Sequence, residues 1–189
     1  MISPFLYFAD ERLSAAELSA ACLDGHLVEL GEGYVPADAV ETTALRAGSI
    51  APLLSDTLAA THLSAAWVHG ALPHPPGRHR AHRIVGPRPH HIVNRRVAYH
   101  DHPVPPSDVL RIGGVWVTTP GRTLADLVRD PTDAHLHAAR LMIATGAAQA
   151  ALGVSWLEQS GPVHNKRPAL ALLRAWACDA DVGQPEVTR

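Results

Sequence analysis

The stretch Val115–Asp130, read as VWVTTPGRTLADLVRD, limits the fold more than any other part of the chain. Val115 and Val117 alternate with Trp116 at the two-residue period of a strand. Thr119 is placed to cap a helix, and Pro120 suits its first position, where a missing N–H leaves nothing unpaired. Leu124, Leu127 and Val128 then recur at helical spacing and form one apolar face. Asp126 and Arg129 lie three apart and can pair on the same helix. Arg122 has two open roles, anchoring the turn or facing a partner.

Upstream, Ser14-Ala-Ala-Glu17 is a capping-box pattern that opens a helix ending at Asp24-Gly25. His26–Leu30 and Gly33–Pro36 read as two short strands of a hairpin around Gly31-Glu32-Gly33. A helix followed by a hairpin is the second half of a winged helix-turn-helix. Glu41–Leu54 reads as helical up to Pro52, and Thr61–Gly70 as a further helix with Leu63, Ala66 and Trp67 facing inward. Leu72–Gly77 is a proline-rich turn that marks a boundary. Short strands are expected at Arg83–Val85, His90–Val93, Arg95–His100 and Val109–Val117, the last folded about Gly113-Gly114. Helices then run from Thr132 to about Thr145, around Val154–Gln159, and over Arg167–Ala177.

These pieces make an α+β protein: a reduced winged helix-turn-helix, then a small, mainly antiparallel sheet packed with C-terminal helices. The expected organisation is an N-terminal module over residues 1–72, an α/β domain over 73–178 and a polar tail over 179–189. At 189 residues the chain can bury a core without a staple. Cys22 and Cys178 lie far apart in no metal-like spacing, which favours reduced thiols. No apolar run approaches the roughly 20 residues that span a bilayer. Met1–Asp10 lacks the positive flank of a secretory leader. The expected compartment is the cytoplasm, with no membrane contact.

Charge is distributed unevenly. The formal balance of −2 excludes a protein that is basic throughout. Residues 1–46 hold Asp10, Glu11, Glu17, Asp24, Glu29, Glu32, Asp38 and Glu41 against Arg12 and Arg46, a surface that repels a phosphate backbone. Arg78–Arg111 reverses the sign, with Arg78, Arg80, Arg83, Arg88, Arg95, Arg96 and Arg111 against Asp101 and Asp108. Arg78, Arg80, Arg83, Arg88, Arg95 and Arg96, together with Arg122, are the candidate contacts to nucleic acid or an acidic protein. Six phosphate contacts would give a log–log salt slope of roughly −5. Tyr99 is the only aromatic in that stretch, so stacking on single strands is not supported.

Catalytic patterns are missing. Ser64, Ser107 and Ser155 read as caps or turns, and no G-x-S-x-G elbow, phosphate-cradling loop or dinucleotide motif occurs. Histidine is abundant, at thirteen residues, and forms the close pairs His90-His91, His100/His102 and His135/His137. A two-apart pair on a strand presents both rings to one face, whereas on a helix the rings diverge. No HExxH or CxxC accompanies them, so no metal and no cofactor is assigned. A small metal-dependent enzyme is the third reading.

Several pieces also line up in a recognisable order. LVELGEGYVPADA is followed by THLSAAWVHGAL and then by RRVAYHDHPVPPSDVLRIGGVWVTTPGRTLADLVRD. Over about residues 14–145 the chain resembles the AbiEi-type antitoxin family, most specifically in Asp108–Asp130. The resemblance implies an N-terminal winged-helix module and a C-terminal antitoxin domain. It also implies a non-enzymatic role in a toxin–antitoxin or phage-defence pair, neutralising a nucleotidyltransferase-like toxin. A second implied role is transcriptional autorepression through promoter DNA. The alternative is a stand-alone nucleic-acid-binding transcriptional regulator.

Overall fold

In the computed structural model, which describes residues 3–10, 12–84, 86 and 94–182, the chain opens on a helix and a hairpin. Helix α1 (Ala15–Leu23) starts in the expected capping box. The Ser14 hydroxyl accepts from the Glu17 N–H at 3.2 Å, and the Glu17 carboxylate accepts from the Ser14 N–H at 2.8 Å. Two helix-end donors are thereby satisfied. Strands β1 (Leu27–Leu30) and β2 (Gly33–Pro36) pair antiparallel. Helix α2 (Thr43–Ser49), capped by Thr42, gives way to a 3₁₀ turn at Ala51–Leu53, which contains Pro52.

Next come β3 (Leu58–Ala60), α3 (His62–Val68) and β4 (His79–Ile84), then β5 (Val97–Val104), β6 (Val109–Ile112) and β7 (Val115–Thr118). These strands form a five-stranded sheet in the order β5-β4-β3-β7-β6. The β3–β4 and β6–β7 pairs are antiparallel, whereas β3–β7 and β4–β5 are parallel. The sheet is therefore mixed, which corrects the expectation of a mainly antiparallel one. Alternation marks where strands lie, but their partners depend on how the crossovers return the chain, and that is not a local property. The strand expected at His90–Val93 lies outside the described residues.

The central strand, β3, is the element that periodicity misses. Leu58, Ala59 and Ala60 are all buried, so no polar residue alternates with them. Such continuous apolar runs are typical of strands covered on both faces. At the edge, β5 accepts Pro103, whose missing N–H takes no pairing from an interior neighbour. Gly113 and Gly114 join β6 to β7 at φ +55 and +87, the pair of left-handed conformations a two-residue hairpin needs.

Helix α4 (Pro120–Arg129) follows β7 as expected, with the Thr119 hydroxyl accepting from the Arg122 N–H at 3.3 Å. Helices α5 (Asp133–Ala144, capped by Thr132), α6 (Ala150–Gln159) and α7 (Lys166–Val182) complete the chain. They enclose a core of Leu124, Leu127, Val128, Ala138, Met142, Leu157 and Leu173, to which α3 adds Ala66. On its other side α3 supplies Ala65, Trp67 and Val68 to a second core with Leu30, Val35, Ile50, Val115 and Val117. Residues 58–68, before the boundary expected near residue 72, thus provide the middle strand and the helix between both cores. Among the described residues no helix is long and apolar enough to cross a membrane.

The approach of α4 to α6 is close enough to be tested. A Cβ on Gly121 would lie 2.9 Å from the Leu152 carbonyl oxygen, whereas one on Gly161 would meet nothing within 4 Å. Gly121→Ala is expected to cost about 1–3 kcal/mol by urea unfolding, and Gly161→Ala little. Equal losses in the two variants would contradict this packing.

Candidate functional site

The basic stretch is heavily neutralised by its own chain. Arg78 donates to the Val97 carbonyl at 3.1 Å. Arg80 pairs with Asp130 at 2.6 Å, Arg83 with Asp101 at 2.8 Å and Arg96 with Glu32 at 2.9 Å. Arg83 also donates to the Gly86 carbonyl. Arg111 meets Asp56 at 3.0 Å. Arg95 is exposed, and Arg88 lies outside the described residues. Exposed pairs such as Arg111–Asp56 add little stability. They do change the surface from a bare basic patch to one of mixed charge.

Arg122 is largely covered, its side chain 11% exposed, and it ties α4 to its surroundings while lining both clefts described below. Its Nε donates to Asp126 and its Nη1 to Asp108, each at 2.7 Å. The guanidinium also lies 4.5 Å from the centre of the Trp156 ring, whose Nε1 donates to Asp108 at 3.0 Å. Arg129 takes the other Asp126 oxygen at 2.9 Å, the pairing expected from their spacing. Burial pulls the Arg122 guanidinium down, but Asp126 and Asp108 outweigh it and hold it above the ordinary arginine value.

Beside this network, strand alternation gathers histidines. Arg80 and His82 share one face of β4, and His82 is paired in register with His100. A register shift between His82 and Ile84 leaves His102 close as well. The His82 ring lies 5.8 Å from that of His100 and 5.7 Å from that of His102. His62, at the start of α3, approaches His82 at 5.4 Å and His135 at 5.5 Å. His62 sits at φ +51, a left-handed conformation costing about 1–2 kcal/mol outside glycine.

These groups line a cavity of about 260 Å³, walled by His62, His82, His102 and His164 with Arg80, Arg122, Arg129, Asp126 and Asp130. A second cleft of about 510 Å³ shares His102, Arg122 and Arg129 and continues past Trp156 to Val163. Burial first, and then Arg80, lowers His62 to about 2. Burial and the neighbouring His62 lower His82 to about 3, and burial with Arg96 lowers His79 to about 4. The hydrogen bond from Arg80 holds Asp130 below the usual carboxylate value. His135 is buried while His137, two residues on, is exposed, the divergence expected on a helix. Among the described residues, no three histidine, cysteine, aspartate or glutamate side chains are arranged to hold a metal ion.

No protein-family model and no curated protein matches the chain. The site therefore rests on its own geometry. Sequence reading selected Arg80 and Arg122, which the fold brings to the same cavity, and Arg78, Arg83, Arg95 and Arg96, which do not line it. It missed His62 and His82. The alternation Arg80/His82 beside His100/His102 was the available signal for one; nothing local pointed to His62. Ser64, expected as a cap or turn residue, is buried and joins α3 to β4, bonding His79 Nδ1 at 3.1 Å and accepting from the Arg80 N–H at 3.0 Å.

Two outcomes follow from this geometry. Arg122→Met leaves buried Asp126 with Arg129 alone and partly buried Asp108 without its cation, and is expected to cost about 3 kcal/mol by urea unfolding. A loss below 1 kcal/mol would mean that Arg122 is not the common partner. The histidines set a pH dependence. An imidazole held below its ordinary value binds in the unfolded chain a proton that the folded chain refuses. Stability is therefore full above pH about 6.5 and falls as pH drops toward 4, by about 1.4 kcal/mol per pH unit for each buried imidazole. Unfolding measured at pH 7 and pH 5 reads the slope, and His62→Gln or His82→Gln should flatten it. An unchanged slope in both would contradict the burial of neutral rings.

Proposed function

We propose that the chain is an antitoxin-like protein of the AbiEi type that acts by binding a protein partner, with no catalytic step of its own. The observation that carries this reading is the internal pairing of the arginines. Phosphate tracking needs cations that exchange counterions for phosphate, whereas Arg80, Arg83, Arg96 and Arg122 already hold carboxylates. A mixed-charge surface suits protein recognition, where complementary charges set specificity and approach. On the N-terminal side, Phe5, Leu23, Val28 and Val40 are exposed apolar residues with no use against a phosphate backbone.

Helix α1 and the β1–β2 hairpin fit the reduced winged-helix module in this reading. The acidic residues around them favour a protein-contact role for it over autorepression. The partner is a nucleotidyltransferase-like toxin in the cytoplasm. Co-expression with such a protein encoded alongside should yield a co-purifying complex and relieve its growth arrest; failure of both would sink the proposal. For duplex promoter DNA, the expected log–log salt slope is shallower than the roughly −5 of six free arginines. A slope that steep, lost in Arg95→Ala/Arg96→Ala, would assign the surface to nucleic acid instead.

A further inference from the structure

Between the N-terminal arm and the start of α2 lies a groove of about 410 Å³ that is open to solvent. Tyr7 bridges Tyr34 of β2, which lays the arm along that strand and brings Phe5 to the groove. Pro36, Ala39, Val40 and Leu45 continue the apolar lining. Phe5 is 57% exposed and Val40 80%. Exposed apolar residues scattered singly are ordinary, but here they meet in one concave patch, which marks a contact surface.

Charge selects the occupant. Asp38 is the only charged residue among those lining the groove, and it is exposed. The guanidinium closest in sequence, that of Arg46, is spent elsewhere. Its Nε pairs with Glu41 at 2.6 Å, and its Nη1 donates to the Trp67 and Leu72 carbonyls at 2.7 and 2.8 Å. The Ala37 N–H donates to the His26 carbonyl at 2.9 Å, so the turn carrying exposed Asp24 stands beside the turn carrying Asp38. An acidic rim repels nucleic-acid phosphates and anionic lipid. In a symmetric dimer it would set two rims of one sign against each other. It complements lysine and arginine.

We infer that this groove receives a basic segment of a partner protein. The segment seats a bulky apolar side chain against Phe5 and Val40 and places lysine or arginine beside Asp38 and Asp24. The inference rests on the partner-binding reading and deepens it by naming the surface and the chemistry, but it does not require the partner to be a toxin.

The test uses the full chain as bait for a displayed library of random peptides, with Val40→Glu and Asp38→Lys as comparison baits. Val40 belongs to neither main core, so both variants are expected to keep the melting temperature of the unsubstituted chain. Enriched peptides should carry an aromatic or large aliphatic residue beside lysine or arginine and bind saturably at one site. Their affinity should fall by roughly tenfold or more in Val40→Glu and by about threefold in Asp38→Lys. Added salt should weaken binding in the unsubstituted chain and less so in Asp38→Lys. The inference is overturned by absence of enrichment, by enriched peptides lacking basic residues, or by undiminished affinity in Val40→Glu. Dimerisation in sedimentation that Val40→Glu abolishes would assign the groove to a second copy, and flotation with anionic vesicles to a membrane; either overturns it. A toxin that co-purifies equally with Val40→Glu would overturn the groove while leaving the partner-binding reading intact. Peptide binding as expected, with no co-purifying toxin, would uphold the groove and sink the toxin assignment.

Discussion

A guanidinium can leave water only if carboxylates go with it, and Arg122 imposes that condition on the surrounding structure. Its partners come from different places: Asp126 from the next turn of α4, and Asp108 from the residue leading into β6. Trp156 of α6 covers the guanidinium and bonds the same Asp108 oxygen. One side chain thereby relates the sheet edge, the helix that follows it and a helix of the C-terminal core. Because Arg129 holds the second oxygen of Asp126, displacing any one of these groups would leave another charge buried without its partner.

The sheet and the helices meet on small side chains. Ala59 and Ala60 in β3 and Ala65 and Ala66 in α3 are fully buried. Alanine faces of this kind let strand and helix backbones approach closely, which compensates for the scarcity of aromatic residues in the chain. Helix α3 belongs to both cores, and Ser64 fastens it to β4 by two hydrogen bonds. The same placement carries His62 to the His82 ring. The cavity is thus a consequence of where α3 must sit to fill both cores.

Much of the local structure was legible. The Ser14–Glu17 capping box, the Gly31-Glu32 and Gly113-Gly114 hairpins, and the Thr119-Pro120 helix start each depend on residues within a few positions of one another. The basic stretch was legible as composition, but its neutralisation was not. Arg80 finds Asp130 fifty residues on, and Arg111 finds Asp56 fifty-five residues back. Likewise His100 and His102 could be placed on one strand face, while their meeting with His82 required the parallel pairing of β4 with β5.

By itself, then, the sequence determined most of the segments that become helices and strands, β3 excepted, and where many of them start or stop, because caps, turns and periodic apolar faces act over one or two turns of chain. It also determined that Val115–Asp130 joins a strand to a capped helix. Only the tertiary structure decided that β3 lies at the middle of the five-stranded sheet, that two of that sheet's four strand pairings are parallel, and that Arg122 meets Asp108. Those outcomes depend on burial and on partners distant in sequence. A three-residue strand with both faces covered has no alternation to show, and an arginine's role follows from the carboxylates that folding brings to it.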